Sequence, residues 1–230
     1  MTSRRRVAIF DIDGTIFRSS LLIELTEALI HDGVFSKSAR KVYAHSYKNW
    51  LERKAGYEKY IAAVVRAYER EIRGVRRGDF LHTARKVVAF HQSRIYRYTR
   101  DLVRDLRRQR YYLLAISGSP REVVDEFCRK LGFNKVYGRI YEVDRFGKFT
   151  GKTLYADLIS DKAKILKRAV EKEGLTLDRS IGVGDTESDI PFLKMVERPI
   201  CFNPNQTLFK AAKKRRWPVV VERKDVIYKL

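Results

Sequence analysis

Apolar residues recur along this chain at two distinct periods. Short, near-continuous runs stand at 6–10 (RVAIF), 111–116 (YYLLAI), 180–184 (SIGVG), 198–202 (RPICF) and 217–221 (WPVVV). Runs of this length, rich in β-branched and aromatic residues, predict buried strands. Pro218 confines the last of them to a sheet edge or to its own first positions. Residues 139–150 alternate apolar and polar around Phe146 and Gly147, which predicts a small hairpin at the sheet edge. Between the runs the period is helical. Val123, Val124, Phe127, Cys128 and Leu131 share one face of a helix that Ser119 caps. Pro120 takes its first position, Glu122 completes a capping box and Gly132 closes it. Ile165, Leu166, Ala169 and Val170 form a similar face in a helix that opens after Ser160 and stops at Gly174.

Strand and helix in alternation, joined by short loops, predict an α/β fold: a Rossmann-like, doubly wound parallel sheet. One region departs from that rhythm. From Ser19 to Thr99 only helical stripes occur, among them Leu21, Leu22, Leu25, Ala28 and Leu29, and then Tyr57, Tyr60, Ile61, Val64, Val65, Tyr68 and Ile72. A further helix is read from Gly78. The expected division is therefore a sheet core from 1–18 and 100–230, with a helical insert over 19–99. The tyrosines of the second stripe are read as core of that insert.

With 230 residues, 44% of them hydrophobic, the chain can bury a sizeable core and is not a disordered polymer. No stretch approaches the length of a membrane-spanning helix. The apolar run that follows the basic start MTSRRR is too short for a signal-peptide core, so the expected location is the cytoplasm. Cys128 and Cys201 lie in apolar surroundings without CxxC spacing and are expected as buried free thiols. The net charge of +21 creates a field that attracts anions: phosphorylated metabolites, nucleic acid or an anionic membrane face. The basic residues are scattered, with short clusters at Arg4–Arg6 and Lys213–Arg216, and no nucleic-acid-binding motif accompanies them. Nucleic acid is thus not the expected partner; peripheral membrane contact and the oligomeric state stay open.

In a parallel α/β sheet, ligands sit outside the carboxyl ends of the strands. Asp11 and Asp13 follow the first run, Ser117 to Ser119 the second, and Gly184 to Asp189 the third, while Lys162 opens a helix. Each segment has an ordinary account: turn formation for Asp and Gly, capping for Ser117 to Ser119 and for Thr186 with Asp189, a solvated helix face for Lys162. Independent capping does not bring all four to one sheet edge.

DIDGT, ISGS, the helix-opening lysine and GDTESD, in that order, resemble the four motifs of the haloacid dehalogenase superfamily of phosphatases. The insert resembles the helical cap of its phosphoserine phosphatase branch. The resemblance implies Asp11 as nucleophile, forming an aspartyl-phosphate. It implies Mg²⁺ held by the side chains of Asp11 and Asp185 and the backbone carbonyl of Asp13. The Asp13 side chain then serves as general acid and base. Ser117, Gly118 and Lys162 would meet the phosphoryl oxygens, and Asp189 would orient Lys162 or a metal-bound water. The branch places a glutamate nine residues after the nucleophile to meet an amine; Ser20 stands there, which argues against phosphoserine as substrate and makes Ser20 a candidate substrate contact. The expected function is Mg²⁺-dependent hydrolysis of a phosphomonoester, a small phosphorylated metabolite. The alternatives are a phosphotransferase using the same intermediate and a basic nucleic-acid-binding protein with a vestigial site.

Overall fold

The computed structural model describes residues 4–230; Met1 to Ser3, the first part of the basic start, lie outside the described residues. The strands are β1 (Arg5–Asp11), β2 (Tyr112–Pro120), β3 (Lys135–Val143), β4 (Phe149–Leu154), β5 (Leu175–Gly184), β6 (Arg198–Phe202), β7 (Val219–Arg223) and β8 (Val226–Lys229). They form one sheet in the order β4-β3-β2-β1-β5-β6-β7-β8. Strands β3, β2, β1, β5, β6 and β7 run parallel, and β4 and β8 close the edges antiparallel. The α/β, doubly wound reading therefore holds, as a mixed sheet. The hairpin read at 139–150 is the β3–β4 pair, longer than the alternation indicated.

Three details differ from the sequence reading. Strand β5 begins at Leu175, well before the apolar run, and carries Arg179 at φ +54 on the way. Strand β7 begins after Pro218 and is an inner strand; Pro218 stays outside it, its carbonyl accepting from the Cys201 N–H at 2.9 Å. Strand β8 was not foreseen, because its burial pattern is almost wholly exposed and leaves no apolar signature.

Helices α1 (Leu21–His31), α2 (Arg40–Leu51), α3 (Tyr57–Glu71), α4 (Arg77–His91) and α5 (Arg97–Arg108) all lie between β1 and β2. Helix α6 (Arg121–Leu131) follows β2, and α7 (Ala156–Ile159) and α8 (Lys162–Lys172) precede β5. Helix α9 (Ile190–Leu193) separates β5 from β6, and α10 (Gln206–Arg215) separates β6 from β7.

Alternation along the strands builds two apolar layers. Ala8 and Phe10 of β1, with Leu113 and Ala115 of β2, face the layer formed by α1, α3, α4, α5 and α6. Val7 and Ile9, with Leu114 and Ile116, face α8, α9 and α10. The first layer runs unbroken from the sheet into the insert, through Leu25, Val64, Tyr68 and Phe80. Cys128 and Cys201 are buried free thiols, as expected. Among the described residues no helix is long and apolar enough to cross a membrane.

The chain leaves β1 toward β2 and β3, then returns to β5 on the other side of β1 and continues to β6 and β7. The direction of winding thus reverses between β1 and β5. A doubly wound sheet opens its ligand crevice at the carboxyl ends of such a pair.

Candidate active site

Asp11 is the last residue of β1, and its carboxylate is buried at that crevice. Its Oδ1 accepts from Lys162 Nζ at 2.6 Å, while its Oδ2 is buried without a hydrogen-bond partner. Lys162 reaches the site because it is the first residue of α8, held there by the Asp161 side chain, which caps the N–H groups of Ala163 and Lys164 at 2.9 and 3.2 Å. Lys162 Nζ also donates to Asp189 Oδ1. Asp189 is fully buried, and its Oδ2 accepts from the N–H groups of Asp185 and Thr186 at 2.9 and 3.0 Å. Thr186 and Asp189 form the capping box read from the sequence. Both oxygens of Asp189 are thereby engaged in holding Lys162 and the loop after β5.

That loop carries Asp185, which accepts from Thr15 Oγ1 at 3.2 Å. The turn after β1 brings it close. Gly14 has φ +88, and a Cβ there would lie 2.2 Å from Asp185 Oδ2, so only glycine allows the approach. Gly184 is equally required: a Cβ would stand 2.5 Å from Asp189.

Asp13 is surrounded by donors. Its Oδ1 accepts from the Leu21 N–H at the start of α1, and its Oδ2 from Ser117 Oγ at 2.5 Å and Ser119 Oγ at 2.9 Å. This corrects the reading of Ser119 as a helix cap. Ser119 lies in β2, Pro120 occupies the N-cap of α6 without a side-chain cap, and the Ser119 hydroxyl bridges Asp13 and the Leu22 N–H at 3.1 Å. Helix α6 opens at Arg121, one residue later than a Ser119 cap with Pro120 in the first position would give, which leaves the hydroxyl to Asp13. Gly118 is exposed at the rim, where a Cβ would meet nothing. Ser20 is buried at the N-cap of α1.

Asp11, Asp13, Asp185, Asp189, Ser117, Ser119 and Lys162 are thus brought together, with Gly118 and Ser20 at the margins. Sequence reasoning missed three neighbours. Thr15 ties Asp185 to the β1 turn and receives a 2.9 Å hydrogen bond from the buried Thr99 of α5 on its own carbonyl. Asn205 donates its backbone N–H to the Asp185 carbonyl at 2.8 Å and its side-chain amide to Glu58 of α3 at 2.9 Å and to Glu187. Tyr57 of α3 is half-buried; burial, then the charges of Asp13 and Asp185, raise its pKa. Its place in a helical tyrosine stripe made it indistinguishable from core.

The electrostatics call for a cation. Burial pushes Asp11 up to about 7 against the pull of Lys162, and burial with the charges of Asp11 and Asp189 raises Asp185 well above the carboxylate range. Burial also raises Asp13, opposed by Ser117, Leu21 and Ser119. Burial works to lower Lys162, but Asp11 and Asp189 outweigh it and keep the ammonium protonated. One ammonium does not neutralise this set. Single carboxylate oxygens of Asp11, Asp185 and Asp189 lie within 4.8 Å of one another. Two ligands of one Mg²⁺ are at most about 4.2 Å apart, so this spacing is close to the span of a shared ion. The unpartnered Asp11 Oδ2 and the all-oxygen donor set fit a hard divalent cation.

Comparisons with known proteins agree with this geometry. A morphological differentiation inhibition protein of Streptomyces azureus is 26% identical over 221 residues, covering 94% of this chain and 78% of that protein. A histidinol-phosphatase of Neisseria meningitidis serogroup C is 23% identical, covering 94% of this chain and 98% of its own. A substrate-bound phosphoserine phosphatase structure superposes with a TM-score of 0.63 at 20% identity, over 97% of this chain and 95% of that one, and so shares the fold. The class of protein so defined is a phosphatase of the phosphoserine phosphatase-like kind. The chain belongs to the haloacid dehalogenase-like hydrolase family, whose model matches residues 8–194.

Proposed function

We propose that this phosphatase hydrolyses a small phosphorylated metabolite with the help of Mg²⁺, through an aspartyl-phosphate on Asp11. The observation that carries the reading is the Asp11 carboxylate itself: buried at the switch point, one oxygen on Lys162, the other without a partner, with Asp185 alongside. The residues at 1–18 and 100–230 serve as the catalytic core and those at 19–99 as the cap, although α5 (Arg97–Arg108) straddles that boundary and packs against β2.

The side chains of Asp11 and Asp185 and the carbonyl of Asp13 would hold the ion. Mg²⁺, when bound, supplies the positive charge that lets an anionic carboxylate approach an anionic phosphoryl group. Asp11 attacks phosphorus, the ester P–O bond breaks, and Asp13 gives a proton to the leaving alkoxide. Asp13 then takes a proton from water, which attacks the same phosphorus; the bond to Asp11 breaks and inorganic phosphate leaves. Lys162 steadies the phosphoryl oxygens at the start of α8, where the helix dipole is also positive. Both Asp13 oxygens are taken up by donors in this structure, so proton delivery requires its side chain to leave Ser117 and Ser119. Ser20 offers no charge to a substrate amine, which argues against phosphoserine.

A panel of phosphorylated metabolites assayed for phosphate release tests the reading. Release with Mg²⁺ from at least one member is expected, falling about a thousandfold after chelation with EDTA. Release that chelation leaves untouched would sink the metal-dependent mechanism.

Stability should report the cation as well. In the metal-free chain Asp11 titrates near 7 when folded, against a carboxylate value of 3.8 when unfolded. Between those values the folded state binds more protons, so stability falls as pH rises through that window. The metal-free melting temperature is expected to be about 5–10 °C lower at pH 8 than at pH 5, with Mg²⁺ reversing most of that loss. Melting curves that do not change with pH, or that added Mg²⁺ does not shift at pH 8, would contradict the charge balance described.

A further inference from the structure

Basic residues that look scattered in the sequence are gathered by the fold. Helices α8, α9 and α10 pack on one face of the sheet. Helix α8 carries five basic residues and one acid, and α10 four and none. Lys162 turns into the catalytic site; Lys164, Lys167, Arg168, Lys210 and Lys214 are exposed on this layer. None of these five is ion-paired among the described residues. The opposite layer offsets more of its charge. Helix α5 also carries five basic residues, but Asp101 and Asp105 pair with Arg100, Arg104 and Arg108. On α4 and α6, Lys86 pairs with Asp32, His91 with Glu24, Arg121 with Asp125 and Arg129 with Glu126, while Arg66, Arg85 and Arg107 of that layer stand outside any ion pair among the described residues. The α8–α10 layer therefore differs in its excess: nine basic residues on α8 and α10 against the single acid Glu171.

Two cations at its end are also fixed in place. Lys213 lies over the Phe209 ring at 5.6 Å, and Arg215 over the Trp217 ring at 5.3 Å. Holding a long side chain on an aromatic ring lowers the entropy lost when it meets a partner.

We propose that the α8–α10 face binds the phosphate backbone of a nucleic-acid duplex without reading its sequence. The layer is long enough: the α8 axis spans about 16 Å at 1.5 Å per residue, and duplex DNA offers one charge per roughly 1.7 Å. About half of those charges face a docked protein, which gives on the order of four to five phosphate contacts. A bilayer fits less well. Helices that lie on membranes insert apolar side chains, and none of the large exposed hydrophobic residues (Phe90, Phe146 and Tyr155 the most exposed) lies on α8, α9 or α10. The apolar sides of these helices are turned onto the sheet.

The test is fluorescence anisotropy with a labelled duplex of about 20 base pairs over a range of KCl concentrations. The intact chain is expected to bind with a log–log salt slope of about −4. The variant K167Q/R168Q/K210Q/K214Q should weaken binding at least about 30-fold and flatten the slope by nearly 4. The matched variant R100Q/R104Q/R107Q/R108Q removes the same charge from α5, and it should change affinity less than about threefold. Circular dichroism melting shows that each variant is folded; if the quadruple change unfolds the chain, K167Q/R168Q and K210Q/K214Q are measured separately, each expected to remove about 2 from the slope. Equal losses from both faces would overturn the proposal in favour of bulk charge. So would binding to vesicles rich in anionic lipid that the duplex does not compete away, or no duplex binding at low salt.

Discussion

Asp11→Asn is expected to abolish phosphate release, with turnover falling by at least about four orders of magnitude while the chain stays folded. An amide oxygen is uncharged and a poor nucleophile, so the first displacement loses its attacking group. The fold tolerates the change for a reason visible in the site. The buried Asp11 carboxylate is held in its charged form at a cost, which is why burial drives it up to about 7. Asparagine has the same shape without that charge, and Lys162 keeps Asp189 as its partner. The metal-free variant should therefore melt no lower than the parent at pH 8, and Mg²⁺ should stabilise it less. Phosphate release assays and melting curves read both. A variant that turns over substrate at a rate near the parent's would remove Asp11 from the chemistry. Lost turnover together with lost folded signal would instead mean a structural role.

Lys162→Met is expected to damage both activity and stability. The methionine keeps most of the aliphatic stem and removes the single ammonium among Asp11, Asp185 and Asp189. Stripping one partner from a buried ion pair costs about 3–5 kcal/mol. For a chain of this size that corresponds to a melting temperature lower by roughly 10 °C. Turnover should fall by about two to three orders of magnitude, since one of the groups that steadies charge on the transferring phosphoryl is gone. The stability loss should shrink as pH falls. Without the ammonium the carboxylates titrate higher still, and once protonated they need no counter-charge. Melting at pH 5 and pH 8 distinguishes this from simple loss of packing, which would be independent of pH.

Much of the fold could be read from periodicity because parallel inner strands are buried on both faces. β1, β2, β5 and β6 show themselves as apolar runs for that reason. The exposed strand β8 and the four-residue helices α7 and α9 bury too little, or too briefly, to leave a pattern. The site was legible to a similar depth. Asp11, Asp13, Asp185 and Asp189 stood out as polar residues after apolar strand runs, and Lys162 only through its place in the order of motifs. Ser119 was misassigned because a helix cap and a carboxylate ask for the same hydroxyl. Tyr57 was hidden by a stripe whose other members, Tyr60 and Tyr68, are core.

The local repeat of side chains was enough to name the sheet and the run of helices after its first strand, and the short motifs at 11–15 and 184–189, through their resemblance to a known family, named the carboxylates. Such features depend on neighbours a few positions apart, and chain geometry settles those without reference to the rest. Which hydroxyl Asp13 engages, what Lys162 balances and where the surplus positive charge collects depended on strand order. The contacts that decide them join residues 104, 151 and 170 positions apart, from Ser117 to Asp13, Lys162 to Asp11 and Thr15 to Asp185. Separations of that length carry no periodic trace, so they exist only once the sheet has assembled and packed α8 to α10 along one of its faces.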